Sequence, residues 1–393
     1  MPSNSGPPDI IGRETFITGL WRILEERSLI LSAERRFGKT YVIQKMEAEP
    51  PDGVLTFYQD LEKLHTANDF ANEVCSKVMS KQRLSYRMVR GAADRLSRWQ
   101  GGRLGFKIPA LGPHLPEASL DLPTLAALPW QLKLTAGITE LVNSRRGLVV
   151  FFWDEMPWMV EHVTKKEGVE TAQQVLELLR GLRQEPDLRP KLRMVYTGSI
   201  GFHHVLAEAL AAPLINDMKP PAYVPPLGFE DACLLARRRL AHEEIEADDP
   251  AEAAREIAGA ADGIPWYIVN LTQSLNTLSV SLQSGDADRS LARILRHSPE
   301  NWELPHYDTR LDHYYTPAQS RIARDLLDIL AVTEGAADFT TLRNLLNAKR
   351  KTEDENEVLH VLNLLRQDHY LTTDPYHFQL PLIRRFWRVW RKL

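Results

Sequence analysis

Apolar residues along the chain fall into two kinds of pattern. Short runs at Leu29-Ile30-Leu31, Val54 to Tyr58, Leu148 to Trp153 and Leu192 to Tyr196 have the length and the β-branched or aromatic content of strands. The run Leu148-Val149-Val150-Phe151-Phe152-Trp153 contains no polar residue, as expected of a strand covered on both faces in a parallel sheet. Between these runs the apolar spacing is helical: Phe16, Leu20, Trp21, Ile23 and Leu24, then 66 to 100, about Leu125 to Asn143, and Val169 to Arg183. Pro50-Pro51-Asp52-Gly53 is a turn, and the Gly/Pro-rich stretch 101–116 reads as an inserted surface hairpin or loop. A last short strand, Ala222-Tyr223-Val224, is bracketed by proline pairs and closes the alternation near residue 227. Strands alternating with helices predict an α/β fold with a doubly wound parallel sheet over 10–227, preceded by a flexible lead at 1–9.

Beyond residue 228 the pattern changes. Phe229 to about Leu282 is helical and is broken by Gly263-Ile264-Pro265; the stretch from about 283 to 316 is expected to be a linker. Three helix candidates follow, Ala318 to Ala331, Phe339 to Asn347 and Glu355 to Asp368, and then a hairpin around Asp374-Pro375. Three helices and a two-stranded hairpin predict a winged helix, here over 301–393.

The chemistry enters at the first strand. Leu29 to Ser32 runs into a polar turn that ends in Gly38-Lys39-Thr40 and opens a helix, and such a turn aims several backbone N–H groups and a positive helix end at one spot. This is P-loop logic: Gly38 admits the anion, Lys39 reaches the outer phosphates and Thr40 ligates magnesium. The pattern is A-x-x-x-x-G-K-T, with Ala33 where glycine is usual, and a chance GKT in a basic turn is the competing explanation. The candidate nucleotide cradle comprises Arg36, Phe37, Gly38, Lys39, Thr40 and Tyr41, with Ile11 lining an adenine slot and Arg13 reaching ribose or phosphates. The apolar run at 148–153 ends in Asp154-Glu155, at the sheet edge where ligands of open parallel sheets bind. Asp154 is the candidate for the magnesium shell, together with Thr40, and Glu155 for polarising an attacking water. Asp60 and Glu62 sit at the end of the neighbouring candidate strand. Thr197-Gly198-Ser199 closes another strand; Ser199 is either a contact to the γ-phosphate or water, counted with Lys39 and Glu155 as catalytic, or a helix cap.

Composition narrows the rest. The chain has 393 residues, 44% hydrophobic and 25% charged, which indicates a folded protein of two or three domains. A formal charge of −4 gives no global attraction to nucleic acid or anionic membrane, so any such contact needs a local patch. Such a patch is offered by Arg384, Arg385, Arg388, Arg391 and Lys392, with Lys349-Arg350-Lys351 upstream. Phe386, Trp387 and Trp390 lie among the terminal arginines, which fits a packed amphipathic helix instead. Two distant cysteines, no signal-peptide pattern, no membrane-length apolar stretch and no His/Cys ligand cluster point to a reduced cytoplasmic setting without a metal-hydrolase site.

Taken together, IIGRE at 10–14, AERRFGKT at 33–40, VVFFWDEMP at 149–157, YTGS at 196–199, GIP at 263–265 and the terminal LLRQDHYLTTDPYHFQLPLIRRFW resemble the AAA+/STAND class of P-loop ATPases, in particular prokaryotic members with a C-terminal winged helix. The resemblance implies Walker A and Walker B motifs, ATP and Mg2+ as ligands, and ATP hydrolysis. It also implies a helical lid over 228–300, a nucleotide contact at Pro265, and use as a nucleotide-dependent conformational switch. The chain departs from ring-forming relatives in having no arginine between Met194 and Ala236, where their arginine finger lies, which implies slow turnover. The alternatives are an ATP-modulated DNA-binding protein acting through the winged helix, or a scaffold or sensor subunit of a multi-protein prokaryotic system such as defence, with a protein partner. The oligomeric state is left open.

Overall fold

The structure is a computed structural model that describes residues 10–81, 128–198, 204, 212–276, 281–349 and 354–393. The chain divides into two compact units. One contains Thr15–Ser32 and Lys39–Tyr223, and the other contains Ile11–Glu14, Ala33–Gly38 and Val224–Leu393.

The first unit is built on a parallel sheet. In chain order its elements are α1 (Glu14–Glu26), β1 (Leu29–Ser32), α2 (Lys39–Ala48), β2 (Leu55–Asp60), α3 (Ala67–Lys81), α4 (Trp130–Asn143), β3 (Val149–Asp154), α5 (Met156–Glu167), α6 (Val169–Gln184), β4 (Leu192–Gly198), a 3-10 turn at Ala212–Met218, and β5 (Ala222–Tyr223). The strand order is β2-β3-β4-β1-β5, with every neighbouring pair parallel. Successive side chains of a strand point to opposite faces, and both faces here are apolar. Phe57, Phe151, Trp153, Met194 and Tyr196 form one face, in a core shared with residues of α3, α4, α5 and α6. Their cross-strand registration stacks Phe57 on Phe151 at 5.1 Å and Trp153 on Tyr196 at 5.8 Å between ring centroids. On the other face, Phe152 meets the edge of Trp21 from α1. A sheet clad on both faces by helices satisfies the α/β expectation.

The second unit is helical: α7 (Phe229–His242), α8 (Pro250–Ala260), α9 (Pro265–Leu275), α10 (Asp286–His297), a 3-10 turn at Pro299–Trp302, α11 (His306–Tyr314), α12 (Pro317–Val332), α13 (Phe339–Lys349), α14 (Glu355–Gln367) and α15 (Pro381–Arg391). Antiparallel bridges join Leu371 to Phe378 and Ala337 to Tyr376 between α14 and α15 and ahead of α13. Phe386 and Trp387 on α15 are buried, and the Trp387 indole donates to Asp328 at 2.9 Å.

Two expectations need correction. The stretch 283–316 is no linker, because α10, the 3-10 turn and α11 occupy most of it; Leu291, Ile294 and Leu295 are buried at helical spacing, and a segment with such a face must pack it away. The segment between the Asp-Glu pair and Val169, to which the sequence reading assigns no helix, forms α5, with Met156, Met159, Val160 and Val163 buried. The expected helix at 66–100 is described only as α3, and the inserted loop at 101–116, the lead at 1–9 and part of the 125–143 helix lie outside the described residues.

Candidate functional site

In the first unit, the order of the strands places β4 between β1, which leads toward the GKT turn, and β3, which ends in the acids. Asp154, the last residue of β3, is 2% exposed. Its Oδ2 accepts the Thr40 hydroxyl at 2.8 Å, across 114 residues of sequence. Its Oδ1 accepts the Thr197 hydroxyl from β4 and the Glu155 backbone N–H at 3.1 Å. The fold therefore brings together the threonine of the GKT turn and the strand-end acid, two of the oxygen donors that a hard divalent cation uses. Their fit to Mg2+ rests on that donor set: a buried carboxylate surrounded by neutral hydroxyls, which a cation can replace as partners. Among the described residues no group of three or more His, Cys, Asp and Glu side chains could hold a metal ion.

Lys39 begins α2 and is buried, whereas Tyr41, one residue past Thr40, is 61% exposed. Glu155 caps α5 in the left-handed region, at φ 53 and ψ 38. A non-glycine residue there is uncommon and, next to a buried acid, marks a position that the surroundings hold in place. Thr197 was foreseen only as part of a polar strand end; the fold turns it toward Asp154. Tyr58 reads from the sequence only as the end of a strand. Its hydroxyl reaches Asp154 Oδ2 at 3.5 Å, and burial, reinforced by that carboxylate, pushes its pKa up. Ser199 lies outside the described residues.

The second unit holds the remaining candidates, which are the turn 33–38 and the segment 11–14. The left-handed positions of the turn are Arg36, at φ 76, and Gly38, at φ 88. Ala33 is not among them, so the alanine in place of the usual first glycine costs the backbone little, while Gly38 serves a conformation that L side chains rarely adopt. Phe37 is buried, and its carbonyl accepts from Arg13 at 3.1 Å; the other Arg13 arm donates to the Pro225 carbonyl at 2.7 Å. Arg13 thus secures the turn by its backbone. Burial lowers its pKa to about 10, against the pull of Asp231, and it stays cationic at neutral pH. Ile11 is half-buried beside it, and Pro265 is the first residue of α9 and half-buried.

The turn's side chains are gripped as well. Glu34 Oε2 lies 3.2 Å from Arg310 Nη1, both side chains being almost fully buried. Arg36 pairs with Glu303 and stacks 4.1 Å from the Trp266 ring centroid. Burial alone would lower the Arg310 pKa; the facing Glu34, Tyr370 and Asp368 hold it well above its ordinary value. None of Glu34, Arg310, Glu303 and Trp266 carries a sequence signal, because the partners lie up to 276 residues apart.

Three of the five terminal basic residues are engaged within the fold. Arg384 donates to the carbonyls of Ala331 and Thr333, Arg385 pairs with Asp288, and Arg391 pairs with Asp328. Lys349 pairs with Asp325 and Asp328, and Arg350 and Lys351 lie outside the described residues. Among the described residues no helix is long and apolar enough to cross a membrane.

No family model and no curated protein matches the chain. Solved structures do. A structure of the Aeropyrum pernix ORC2 protein in its ADP form is 13% identical and aligns over 99% of this chain and 96% of its own, with a TM-score of 0.49. The structure of a Walker-type ATPase of Pyrococcus abyssi is 18% identical, aligns over 99% of both chains and reaches a TM-score of 0.62. Across nearly its whole length, this chain has a fold similar to that of the Pyrococcus Walker-type ATPase.

Proposed function

We propose that the protein binds and hydrolyses ATP with Mg2+, as a P-loop ATPase of the AAA+/STAND kind. The observation that carries this is the hydrogen bond from Thr40 to Asp154, which joins the end of the GKT motif to the strand-end acid. When bound, magnesium would supply positive charge against the phosphate oxygens, held by Thr40 and Asp154. Lys39 binds and orients the outer phosphates, and the N–H groups of the turn and of the first turn of α2 receive the phosphate oxygens. Glu155 accepts the proton of the attacking water, a role suited to a carboxylate held next to, but distinct from, the magnesium ligand. With no arginine from Met194 to Ala236, the chain supplies no finger there, and turnover is slow.

The finer reading is a nucleotide-dependent switch with an α/β domain over 10–227, a helical lid over 228–300 and a winged helix over 301–393. The helices α12, α13 and α14 followed by the paired Leu371 and Phe378 support the winged helix. Residues 33–38 are part of the second unit, and Lys39 opens the first unit's α2. The engagement of Arg384, Arg385, Arg391 and Lys349 within the fold favours the switch over DNA binding. The test is titration of purified protein with MgATP, with turnover measured in the presence and absence of DNA. Binding that is weakened roughly a hundredfold in Lys39→Ala while the variant stays folded supports the proposal, and unchanged affinity in that variant removes it.

A further inference from the structure

A P-loop works by holding consecutive backbone N–H groups in a convergent conformation, and a loop that must order itself on binding loses affinity to the entropy of doing so. Residues 33–38 carry their own anchors. Arg310, on α11, is packed between two aromatic rings, 4.4 Å from the Tyr370 centroid and 5.0 Å from that of Tyr307. Its Nε donates to the Tyr370 hydroxyl at 3.0 Å and its Nη2 to the Asp368 carbonyl at 3.2 Å, which leaves Nη1 directed at Glu34. Tyr370 in turn donates to the Tyr307 carbonyl, and Tyr315 donates to the Asp368 carboxylate at 2.6 Å. The guanidinium is therefore oriented by its own neighbours before Glu34 is considered. Two residues further along the turn, the left-handed Arg36 is held by Glu303 and Trp266.

A buried ion pair is a poor way to gain stability, since desolvation offsets much of the attraction, but it is an effective way to specify one conformation. The geometry points to Arg310 as a positioning residue for triphosphate binding: it fixes Glu34, and with Glu303 and Trp266 fixing Arg36 it holds residues 33–38 in the conformation that receives the nucleotide. This rests on the ATPase reading above. Preorganisation acts on affinity, so its loss raises the Kd for nucleotide and leaves the chemical step at saturation nearly unchanged. A purely structural pair would affect melting and nothing else.

The experiment uses the full chain and compares wild type with Glu34→Gln, Arg310→Met, the double variant and Glu303→Gln. Each is measured for MgATP affinity by calorimetry, for kcat at saturating MgATP, and for melting temperature without nucleotide. Arg310→Met is expected to weaken MgATP binding roughly tenfold or more, with kcat changed less than about threefold. In the double variant the Glu34 charge is removed together with its partner, and the Asp368 carboxylate keeps the Tyr315 hydroxyl, so melting recovers part of the way toward wild type while the weakened affinity persists. Glu303→Gln, which removes a half-exposed partner and leaves the core intact, is expected to weaken binding roughly two- to threefold and serves if the buried variants do not fold. Wild-type affinity in a folded double variant, or in Glu303→Gln, overturns the positioning role. A wild-type chain that does not bind MgATP overturns the ATPase reading itself, a result that no comparison between variants can produce.

Discussion

Asp154 and Glu34 are both buried carboxylates, 2% and 3% exposed, yet their surroundings set them to opposite tasks. Asp154 receives neutral donors, the hydroxyls of Thr40 and Thr197 and the N–H of Glu155. Glu34 faces a guanidinium that is itself held by two tyrosines and a backbone carbonyl. Hydroxyl partners can be exchanged for a metal ion at modest cost, whereas a buried cation cannot be withdrawn from its acid without leaving a lone charge. The first arrangement suits a site that takes up and releases a ligand, and the second suits an anchor. Burial of an acid therefore says little until its donors are known.

The sharpest way to break this contrast is at the exchangeable end. Glu155→Gln keeps the shape of the side chain and loses the base, so turnover is expected to fall about a hundred- to ten-thousand-fold with ATP affinity retained; phosphate release at saturating ATP measures it, and wild-type turnover would end the assignment. Lys39→Ala removes the charge partner of the phosphates and is expected to weaken ATP binding by roughly a hundredfold, near the upper value of a hydrogen bond to a charged group. Asp154→Asn should weaken only the magnesium-dependent part of that affinity, visible as a loss of the difference between titrations with Mg2+ and with EDTA.

On the anchoring side, Trp387→Ala removes a fully buried indole and its bond to Asp328, with an expected loss of about 3–5 kcal/mol seen by denaturant unfolding. Acid behaviour sharpens the contrast further. Burial raises Asp262 from 3.8 to about 6, against the Leu382 N–H and Arg385, so between those values the native state holds more protons and stability falls as pH rises. Burial, with Arg310 and Arg35, lowers His306 from 6.5 to about 3, so the native state holds fewer protons and stability falls as pH drops below 6.5. The two slopes oppose each other between about pH 4 and 6. Asp262→Asn is expected to leave the His306 slope alone, up to roughly 1.4 kcal/mol per pH unit, and to melt higher than wild type above pH 6; a melting series across pH checks both signs. The smallest expected effect is none: with no arginine from Met194 to Ala236, specific activity should stay flat on dilution, and a steep rise with concentration would mean that a second subunit completes the site.

How legible each feature was depended on the sequence distance over which it is determined. The strand at 149–154 shows in the sequence because burial on both faces demands an unbroken apolar run. The helix α5 is equally present in the spacing of Met156, Met159, Val160 and Val163, but its apolar face starts directly after two acids and rests on few positions, so its period stands out less than the unbroken strand that precedes it. The same holds for α10, whose apolar residues sit in a charged stretch that looks like a linker by composition.

Within the candidate site, the amino-acid sequence by itself determined what is local: a GKT turn opening a helix, and two acids at the end of a buried strand. It also determined that Ala33 occupies the usual glycine position, but only the backbone showed that the left-handed residues of the turn are Arg36 and Gly38. The tertiary structure alone decided which partners those local features meet, because strand order inserts β4 between β1 and β3 and so supplies Thr197 to Asp154. It alone brought Arg310 to Glu34 across 276 residues. The physical reason is that periodicity and turn chemistry act over a few residues and are written in consecutive positions, whereas the partner of a buried charge is whatever the packed core places within hydrogen-bonding distance of it.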